Sequence, residues 1–268
     1  MSGTLAPPRD FVQSLARGLA VIRALSCPQA QTLSDVARAS GIARASARRS
    51  LLTLERLGYV RREGARFALT PRVLELGFAY LSSLALPELA QPHLERLVER
   101  VRESSSVSVL DGDSVVYVAR VPTRRIMAVT ISVGTRFPAH ATSMGRVLLA
   151  GLERAELAAL LEEIELGPFA NVAITTPAQL EQELARVREQ GYAIVDQELE
   201  LGLRSVAAPI RDRSGRVVAA VNLAVQAARA SVEEIRRSLL PELLATAAAI
   251  ASDLPAGIQM SPSDTAIV

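Results

Sequence analysis

The sequence predicts an α+β protein with an N-terminal winged helix-turn-helix followed by a larger domain of mixed helices and strands. Three observations support this prediction. The chain of 268 residues is longer than a typical single domain. A short helix, a tight turn and an arginine-lined helix precede a basic hairpin. After residue 104 the spacing of apolar residues changes from about four to two, as it does where helices give way to strands.

Charge is distributed unevenly along the chain. All 30 basic residues are arginine, and residues 1–70 carry 11 of them against four acids. The remainder carries 19 arginines against 24 acids. A basic head on an acidic body indicates a polyanion-binding module joined to a different kind of domain.

Cysteine and apolar content indicate the cellular setting. Cys27 is the only cysteine, which excludes an internal disulfide and a multi-cysteine zinc site and fits a reducing cytoplasm. No apolar stretch approaches the roughly 18 residues of a membrane span, and the N-terminus has no signal-peptide pattern. We therefore expect a cytoplasmic protein with no cofactor, no metal and no membrane partner.

Residues 32–57 predict two short helices joined at Gly41. Thr32 occupies the N-cap position of the first helix and Asp35 falls in its first turn, where an acid is favoured. The second helix, expected over 42–57, has apolar residues on one side at spacings of four and three: Ala47, Leu51 and Leu54. Its other side carries arginine, as the reading helix of a helix-turn-helix does.

Residues 59–69 predict a β-hairpin with its turn at Glu63-Gly64-Ala65. Helix, turn, arginine-faced helix and basic hairpin together are typical of winged-helix DNA binding. A solvated charged face is the alternative for the second helix alone, and the hairpin favours DNA.

Twelve residues are predicted to contact DNA. Arg48 and Arg49 are best placed to reach base edges in the major groove. Ala45 and Leu52 could touch thymine methyl groups, and Ser46 a base or a phosphate. The others are assigned to phosphate or the minor groove: Arg44 on the side of the helix, Gln13, Ser14 and Arg17 at the start of the first helix, and Arg61, Arg62 and Arg66 on the hairpin. Ordinary surface charge is the alternative for each residue singly.

Caps and periodicity locate the remaining elements. Helices are expected at 13–26, 70–84, 87–104, 142–150, 153–163, 176–191 and 231–252, and strands at 107–110, 115–121, 127–133, 192–195, 205–210 and 217–225. The first helix should bury Leu15, Leu19, Ile22 and Leu25. The domains are then 11–70, a linker helix over 71–86, a second domain over 87–253 and a flexible tail over 254–268. The linker helix could pack against a second subunit or within the chain.

Four stretches resemble the IclR-type bacterial transcription regulators: FVQSLARGL (11–19), the winged helix, PAHATSMGR (138–146) and GLRSVAAPI (202–210). The first and third are most similar to the PcaR/PcaU/PobR subgroup, regulators of aromatic-acid catabolism through the β-ketoadipate route. The resemblance implies a GAF-like effector domain with a curved antiparallel sheet flanked by helices. It also implies a homodimer or dimer of dimers on partly palindromic double-stranded DNA operators, and a small carboxylate effector.

Seven residues are predicted to bind that effector. The loop 134–146 offers Arg136, His140 and Ser143 beside free N–H groups at a helix start, a suitable cradle for a carboxylate. The resemblance adds Met144, Asp196, Ser205 and Asn222. Ser205 stands where many relatives have cysteine, and Ala224 where a hydroxyl is frequent, which favours an aromatic or longer acid. His140 could instead be structural, and Asp196 could belong to a solvated strand end.

The sequence thus predicts a ligand-responsive DNA-binding regulator of a catabolic operon for aromatic acids. One alternative is an enzyme with a nucleic-acid-binding head, which the single cysteine, the two separated histidines and the lack of a phosphate loop or metal-ligand spacing disfavour. Others are a regulator sensing a small aliphatic acid such as glyoxylate or pyruvate, and an architectural DNA binder, which would not need so large a second domain.

Overall fold

The computed structural model describes residues 10–27, 29–76, 85–123, 131–164, 166–167 and 174–255, and the chain divides into two units, Met1–Ser83 and Leu84–Val268. The N-terminal unit is built from α1 (Gln13–Ala24), β1 (Gln31–Thr32), α2 (Leu33–Ser40), α3 (Arg44–Arg56), β2 (Val60–Glu63) and β3 (Arg66–Leu69). The predicted hairpin is confirmed, with Arg62 opposite Phe67. Strand β1 was not expected, because two residues are too few to show a period; it pairs with β3 in the order β1-β3-β2.

The turn between α2 and α3 follows directly from local sequence. The Thr32 hydroxyl accepts a hydrogen bond from the Asp35 N–H (3.3 Å), and the Asp35 carboxylate accepts from the Thr32 N–H (3.2 Å). The bond from the Thr32 hydroxyl (2.6 Å) is the main cause that lowers the pKa of Asp35. Gly41 then ends α2 with φ +67°, a left-handed conformation that suits glycine.

The buried face of α1 differs from the prediction. Val21 and Leu25 are in the core of the N-terminal unit, whereas Leu15 and Leu19 are 62% and 47% exposed. A spacing of four identifies an apolar face, but it does not say how far along the helix the neighbouring helices extend. Only the C-terminal half of α1 contributes buried residues to this core.

The C-terminal unit contains a six-stranded antiparallel sheet in the order β6-β5-β4-β9-β8-β7. Its strands are β4 (Ser104–Asp111), β5 (Ser114–Val121), β6 (Arg136–Pro138), β7 (Ala193–Asp196), β8 (Leu203–Arg211) and β9 (Val217–Gln226). Neighbouring residues alternate between two cores: Ile194 and Val206 belong to one, and Ala193 and Ala207 to the other. Both faces of the sheet are therefore covered.

Helices cover the two faces in separate groups. Helix α4 (Ala85–Val101) and the C-terminal helix pack on one face, and α5 (Ser143–Ala150), α6 (Arg154–Glu163) and α7 (Pro177–Gln190) on the other. The C-terminal helix, α8, begins at Val232–Glu234, is π-helical over Ile235–Leu239 and continues as Leu240–Asp253. The α+β class, with its winged helix-turn-helix and helix-flanked antiparallel sheet, is confirmed.

Some predicted bounds differ. Helix α3 begins at residue 44 rather than 42, and α4 spans 85–101 rather than 87–104, because residue 104 already belongs to β4. The strand expected at 127–133 lies mostly outside the described residues, and 131–133 are not in a strand. Residues 1–9, 256–268 and most of the expected linker helix (77–84) are also outside them; at its start Thr70 caps a 3-10 turn, Pro71–Val73.

Candidate DNA surface and effector cavity

Helix α3 separates its side chains as the sequence predicts. Ala47, Leu51 and Leu54 are buried, while the opposite side exposes Arg44, Ala45, Arg48, Arg49 and Leu52, with Ser46 partly exposed. Within the described residues, no hydrogen bond or ion pair holds the guanidinium groups of Arg48 and Arg49. They therefore point to solvent with all their donors available, as base readout requires.

The other predicted DNA contacts include arginines with partners inside the unit. Arg44 donates to the Ser34 hydroxyl (2.8 Å), tying the start of α3 to α2. On the hairpin, Arg61 pairs with Glu63, and Arg62 donates to the Gly64 carbonyl (2.9 Å). Two further contacts complete this set: Arg62 lies 5.8 Å from the Phe67 ring centre, and Arg66 donates to the Ala30 carbonyl (2.9 Å).

The start of α1 is also open to solvent. Gln13 and Ser14 are exposed and Arg17 is partly exposed. The N-cap residue, Val12, makes no side-chain capping hydrogen bond. The first amide N–H groups of α1 are thus not satisfied by a cap, which is the arrangement that favours a phosphate.

In the C-terminal unit, a small cavity of about 30 Å³ lies on the sheet face covered by α5 and α7. We call it the sheet cavity. The strands contribute Tyr117, Arg120, Ser205 and Asn222, the start of α5 contributes Thr142, Ser143 and Met144, and the β7–β8 loop contributes Leu199 and Glu200. Ser143, Met144, Ser205 and Asn222, four of the seven predicted effector residues, therefore meet at one place.

Arg120 supplies the positive charge of the sheet cavity. It donates to the Ser106 hydroxyl (3.2 Å), and burial lowers its pKa without removing its charge. Burial also raises the pKa of the neighbouring Tyr117 to about 12, so this phenol stays neutral. Its ring packs edge-to-face on Phe137 with the ring centres 5.7 Å apart. Asn222 is held in place because its side-chain oxygen accepts from the Ser106 N–H (3.1 Å).

The other three predicted effector residues do not line the sheet cavity. Asp196 follows the cavity-lining Val195, so strand alternation turns it to the opposite face. There the Arg204 Nε donates to the Asp196 carboxylate (2.7 Å), and this bond is the main cause that lowers the pKa of Asp196. Arg136 lies on the edge strand β6 and pairs with Asp111.

His140 is buried in the 3-10 turn Ala139–Ala141, just before α5. Burial is the main cause that lowers its pKa, with a further contribution from Arg146, so the imidazole is neutral at neutral pH. Its backbone carbonyl accepts from the Arg146 Nε (2.9 Å). The lining of the sheet cavity includes Ala141 and Thr142 but not His140.

Two features of the site were not predicted from the sequence: Arg120 in the sheet cavity, and an ion pair that holds the neighbouring loop. Arg146, with its side chain 3% exposed, donates to both carboxylate oxygens of Glu198, at 3.0 and 2.5 Å. This ion pair, which we call the latch, fastens the loop 197–202 to α5, and Leu199 and Glu200 of that loop line the sheet cavity. Glu198 is one of three alternating acids at 196, 198 and 200, but its partner Arg146 lies 52 positions away in the sequence.

Among the described residues, no helix is long and apolar enough to cross a membrane. The same part of the chain holds no group of three or more His, Cys, Asp or Glu side chains that could bind a metal ion.

Comparison with known proteins identifies two matching family models. Residues 14–64 match the IclR helix-turn-helix domain, and residues 78–252 match the bacterial transcriptional regulator IclR C-terminal domain. The Pca regulon regulatory protein of Pseudomonas putida is 43% identical over 238 residues, covering 88% of this chain and 82% of that protein. The p-hydroxybenzoate hydroxylase transcriptional activator of Acinetobacter baylyi is 36% identical, and the match covers 89% of this chain and 90% of that protein.

Two solved structures also match this chain over most of its length. A structure from Rhodococcus sp. RHA1, described as a transcriptional regulator, has a TM-score of 0.79 and 58% identity, and the match covers 91% of this chain and 98% of that one. An IclR homologue from Microbacterium hydrocarbonoxydans, complexed with 4-hydroxybenzoate, has a TM-score of 0.77 and 28% identity over 91% of this chain and all of that one.

Proposed function

We propose that this chain, which belongs to the IclR family of bacterial transcription regulators, controls an aromatic-acid operon by binding an aromatic carboxylate in the sheet cavity. Its relatives are named regulators, not enzymes, and this chain is a transcription regulator as well. The observation that carries the proposal is Arg120, a guanidinium in a cavity otherwise lined largely by apolar and neutral polar groups.

The chemistry of the sheet cavity suits an aromatic acid. Arg120 and the first turn of α5 can hold the carboxylate, because a guanidinium fork and free helix N–H groups both favour an anion. Tyr117, Met144 and Leu199 provide apolar walls for a ring. The names of the two relatives, and the 4-hydroxybenzoate in the Microbacterium structure, support the same ligand class.

Calorimetry with a matched pair of variants tests the effector proposal. We expect 4-hydroxybenzoate to bind the full chain. Glyoxylate and pyruvate should bind much more weakly, because they are too small to contact the apolar walls. Arg120→Gln should weaken binding by about 10- to 100-fold, since a hydrogen bond to a charged group contributes roughly 1.5–3 kcal/mol. Arg136→Gln, the control on the sheet edge, should bind as wild type does. Loss of binding in Arg136→Gln but not in Arg120→Gln would mean that Arg136, and not Arg120, holds the carboxylate.

The DNA proposal divides the arginines into two groups. Arg48 and Arg49 read bases, and the hairpin arginines with Gln13, Ser14 and Arg17 hold the backbone. Arg49→Ala should weaken operator binding and lose base preference, while Arg62→Ala should weaken all DNA alike and flatten the salt dependence. Titrations with operator and random duplexes at several salt concentrations measure both effects. Equal losses on both duplexes for both variants would contradict this division.

Regulation requires the two functions to be coupled. An effector can change operator affinity only if it binds more tightly to one of two arrangements of the protein. Operator titrations with and without saturating 4-hydroxybenzoate measure this coupling. An acid that binds the sheet cavity but leaves operator affinity unchanged would refute it.

We also propose a homodimer or dimer of dimers, because a helix-turn-helix dimer matches two operator half-sites. Exposed apolar residues at α1 support self-association: Leu15 and Leu19, one helical turn apart, and Phe11, just before the helix, are each about half or more exposed. Leu15→Glu combined with Leu19→Glu should shift the assembly to smaller species in analytical ultracentrifugation. An unchanged sedimentation profile would exclude this face as a subunit contact.

A further inference from the structure

A second concavity lies at the other end of α5 from the sheet cavity. It has a volume of about 560 Å³ and is formed where four segments converge: the end of α5, the start of α6, the end of α7 and the β8–β9 hairpin. None of its lining residues lines the sheet cavity. We call it the arginine groove, because Arg154, Arg188, Arg211 and Arg216 line it.

The charge of the arginine groove is opposite to that of the unit that contains it. The chain beyond residue 70 carries more acids than bases, yet four arginines and one acid, Glu153, line this groove. Asp212 lies next to it in the hairpin, where the Ser214 hydroxyl and the Arg216 N–H bind its carboxylate. The lining therefore keeps an excess of positive charge, which concentrates anions.

Two of the four guanidinium groups are held in place by backbone carbonyls. Arg188 donates its Nε to the Ala150 carbonyl (2.8 Å) at the end of α5. Arg211 donates an Nη to the Gly215 carbonyl (2.9 Å) within the hairpin. A guanidinium has five N–H donors, so each group keeps donors for a ligand while losing little freedom on binding it.

We propose that the arginine groove binds a small anion with two or more carboxylate or phosphate groups. A volume of about 560 Å³ falls within the range of small-molecule sites, about 300–1,000 Å³. A concave site whose arginines come from separate elements suits a compact polyanion, because several guanidinium forks can each pair with a different acidic group. A duplex would instead require a long basic stripe. Such a ligand differs from the monocarboxylate proposed for the sheet cavity.

Calorimetry on the full chain tests this site with citrate and pyrophosphate as probes. We expect at least one of them to bind with one site per chain, and the comparison shows whether carboxylates or phosphates are preferred. Increasing salt should weaken binding. The double variant Arg154→Gln/Arg216→Gln should lose at least tenfold in affinity, because it removes two of the four guanidinium groups. Circular dichroism verifies that this variant is folded.

Two controls separate the arginine groove from general charge and from the sheet cavity. Arg213→Gln removes one positive charge from the hairpin that carries Arg216, at an exposed residue that does not line the groove, and should bind within about twofold of wild type. Arg120→Gln should leave citrate binding unchanged even where it abolishes 4-hydroxybenzoate binding. The proposal is overturned if neither probe binds, if Arg213→Gln or Arg120→Gln loses as much as the double variant, or if the double variant changes only the oligomeric state.

Discussion

Replacement of Glu198 by glutamine tests the latch directly. The variant keeps the size and one hydrogen-bond acceptor of the side chain but removes the charge opposite Arg146, which is almost fully buried. A buried charge that loses its partner typically costs 3–5 kcal/mol. Arg146 retains the His140 carbonyl and a more distant carboxylate, Glu183 at 3.8 Å. We therefore expect the free energy of unfolding to fall by about 3 kcal/mol, the lower end of this range.

Urea unfolding followed by circular dichroism measures this loss. The matched control is Glu189→Gln, which makes the same change at an exposed position of α7 and should lie within about 0.5 kcal/mol of wild type. The double variant Arg146→Met/Glu198→Met removes both charges. It should be more stable than Glu198→Gln, since apolar residues of similar volume can replace a buried ion pair at little or no cost.

Either of two results would refute this reasoning. A loss below about 1 kcal/mol in Glu198→Gln would mean that solvent or Glu183 replaces the carboxylate. A double variant less stable than Glu198→Gln would mean that the ion pair contributes net stability beyond compensation of its own buried charges.

Three other perturbations follow from local geometry. Gly145→Ala should lower the free energy of unfolding in urea by about 1–3 kcal/mol or more, because a Cβ there would lie 2.0 Å from the Ala139 carbonyl oxygen; unchanged stability would mean that this turn yields easily. Thr32→Ala should cost about 1 kcal/mol in thermal unfolding through the lost cap, whereas Thr32→Ser should largely retain it. Arg204 lowers the pKa of Asp196 below its usual 3.8, so the stability advantage of wild type over Asp196→Asn should exist above that pH and shrink as pH falls below it; a constant difference would contradict this.

Elements set by neighbouring residues are the ones that the sequence predicts well. The capping boxes at Thr32, Thr176 and Ser231 all form, and the helices after them start within a residue of the expected position. Five of the six strands of the sheet are predicted by their period of two, whereas β6, with three residues, is too short to show a period. These elements can be predicted because each signal depends on residues at most a few positions apart.

The sheet cavity was only partly predictable, and Arg120 shows why. Strict alternation puts Tyr117 and Arg120 on opposite faces, because they are three positions apart. A register shift between β4 and β5, at Val107 and Ser108, inserts an extra residue and brings both side chains to the cavity. The closeness of Arg136 to α5 in sequence predicts a place in the site, yet its strand lies at the sheet edge. Register shifts and contacts between distant strands leave no local pattern in the sequence.

The size of the sheet cavity indicates which part of its wall must move. A space of about 30 Å³ holds one or two waters, whereas a cavity that takes benzene measures roughly 150 Å³. Opening the latch would cost about 3–5 kcal/mol, a large part of the roughly 8 kcal/mol that a micromolar ligand provides. Movement of residues 199–203 with the latch intact costs less, and Gly202, at φ +82°, offers a hinge. Hydrogen exchange with saturating 4-hydroxybenzoate should therefore change at residues 199–203, and α5 should gain protection only in its first turn, where its N–H groups hold the carboxylate; a loss of protection in α5 would show that the latch opens instead.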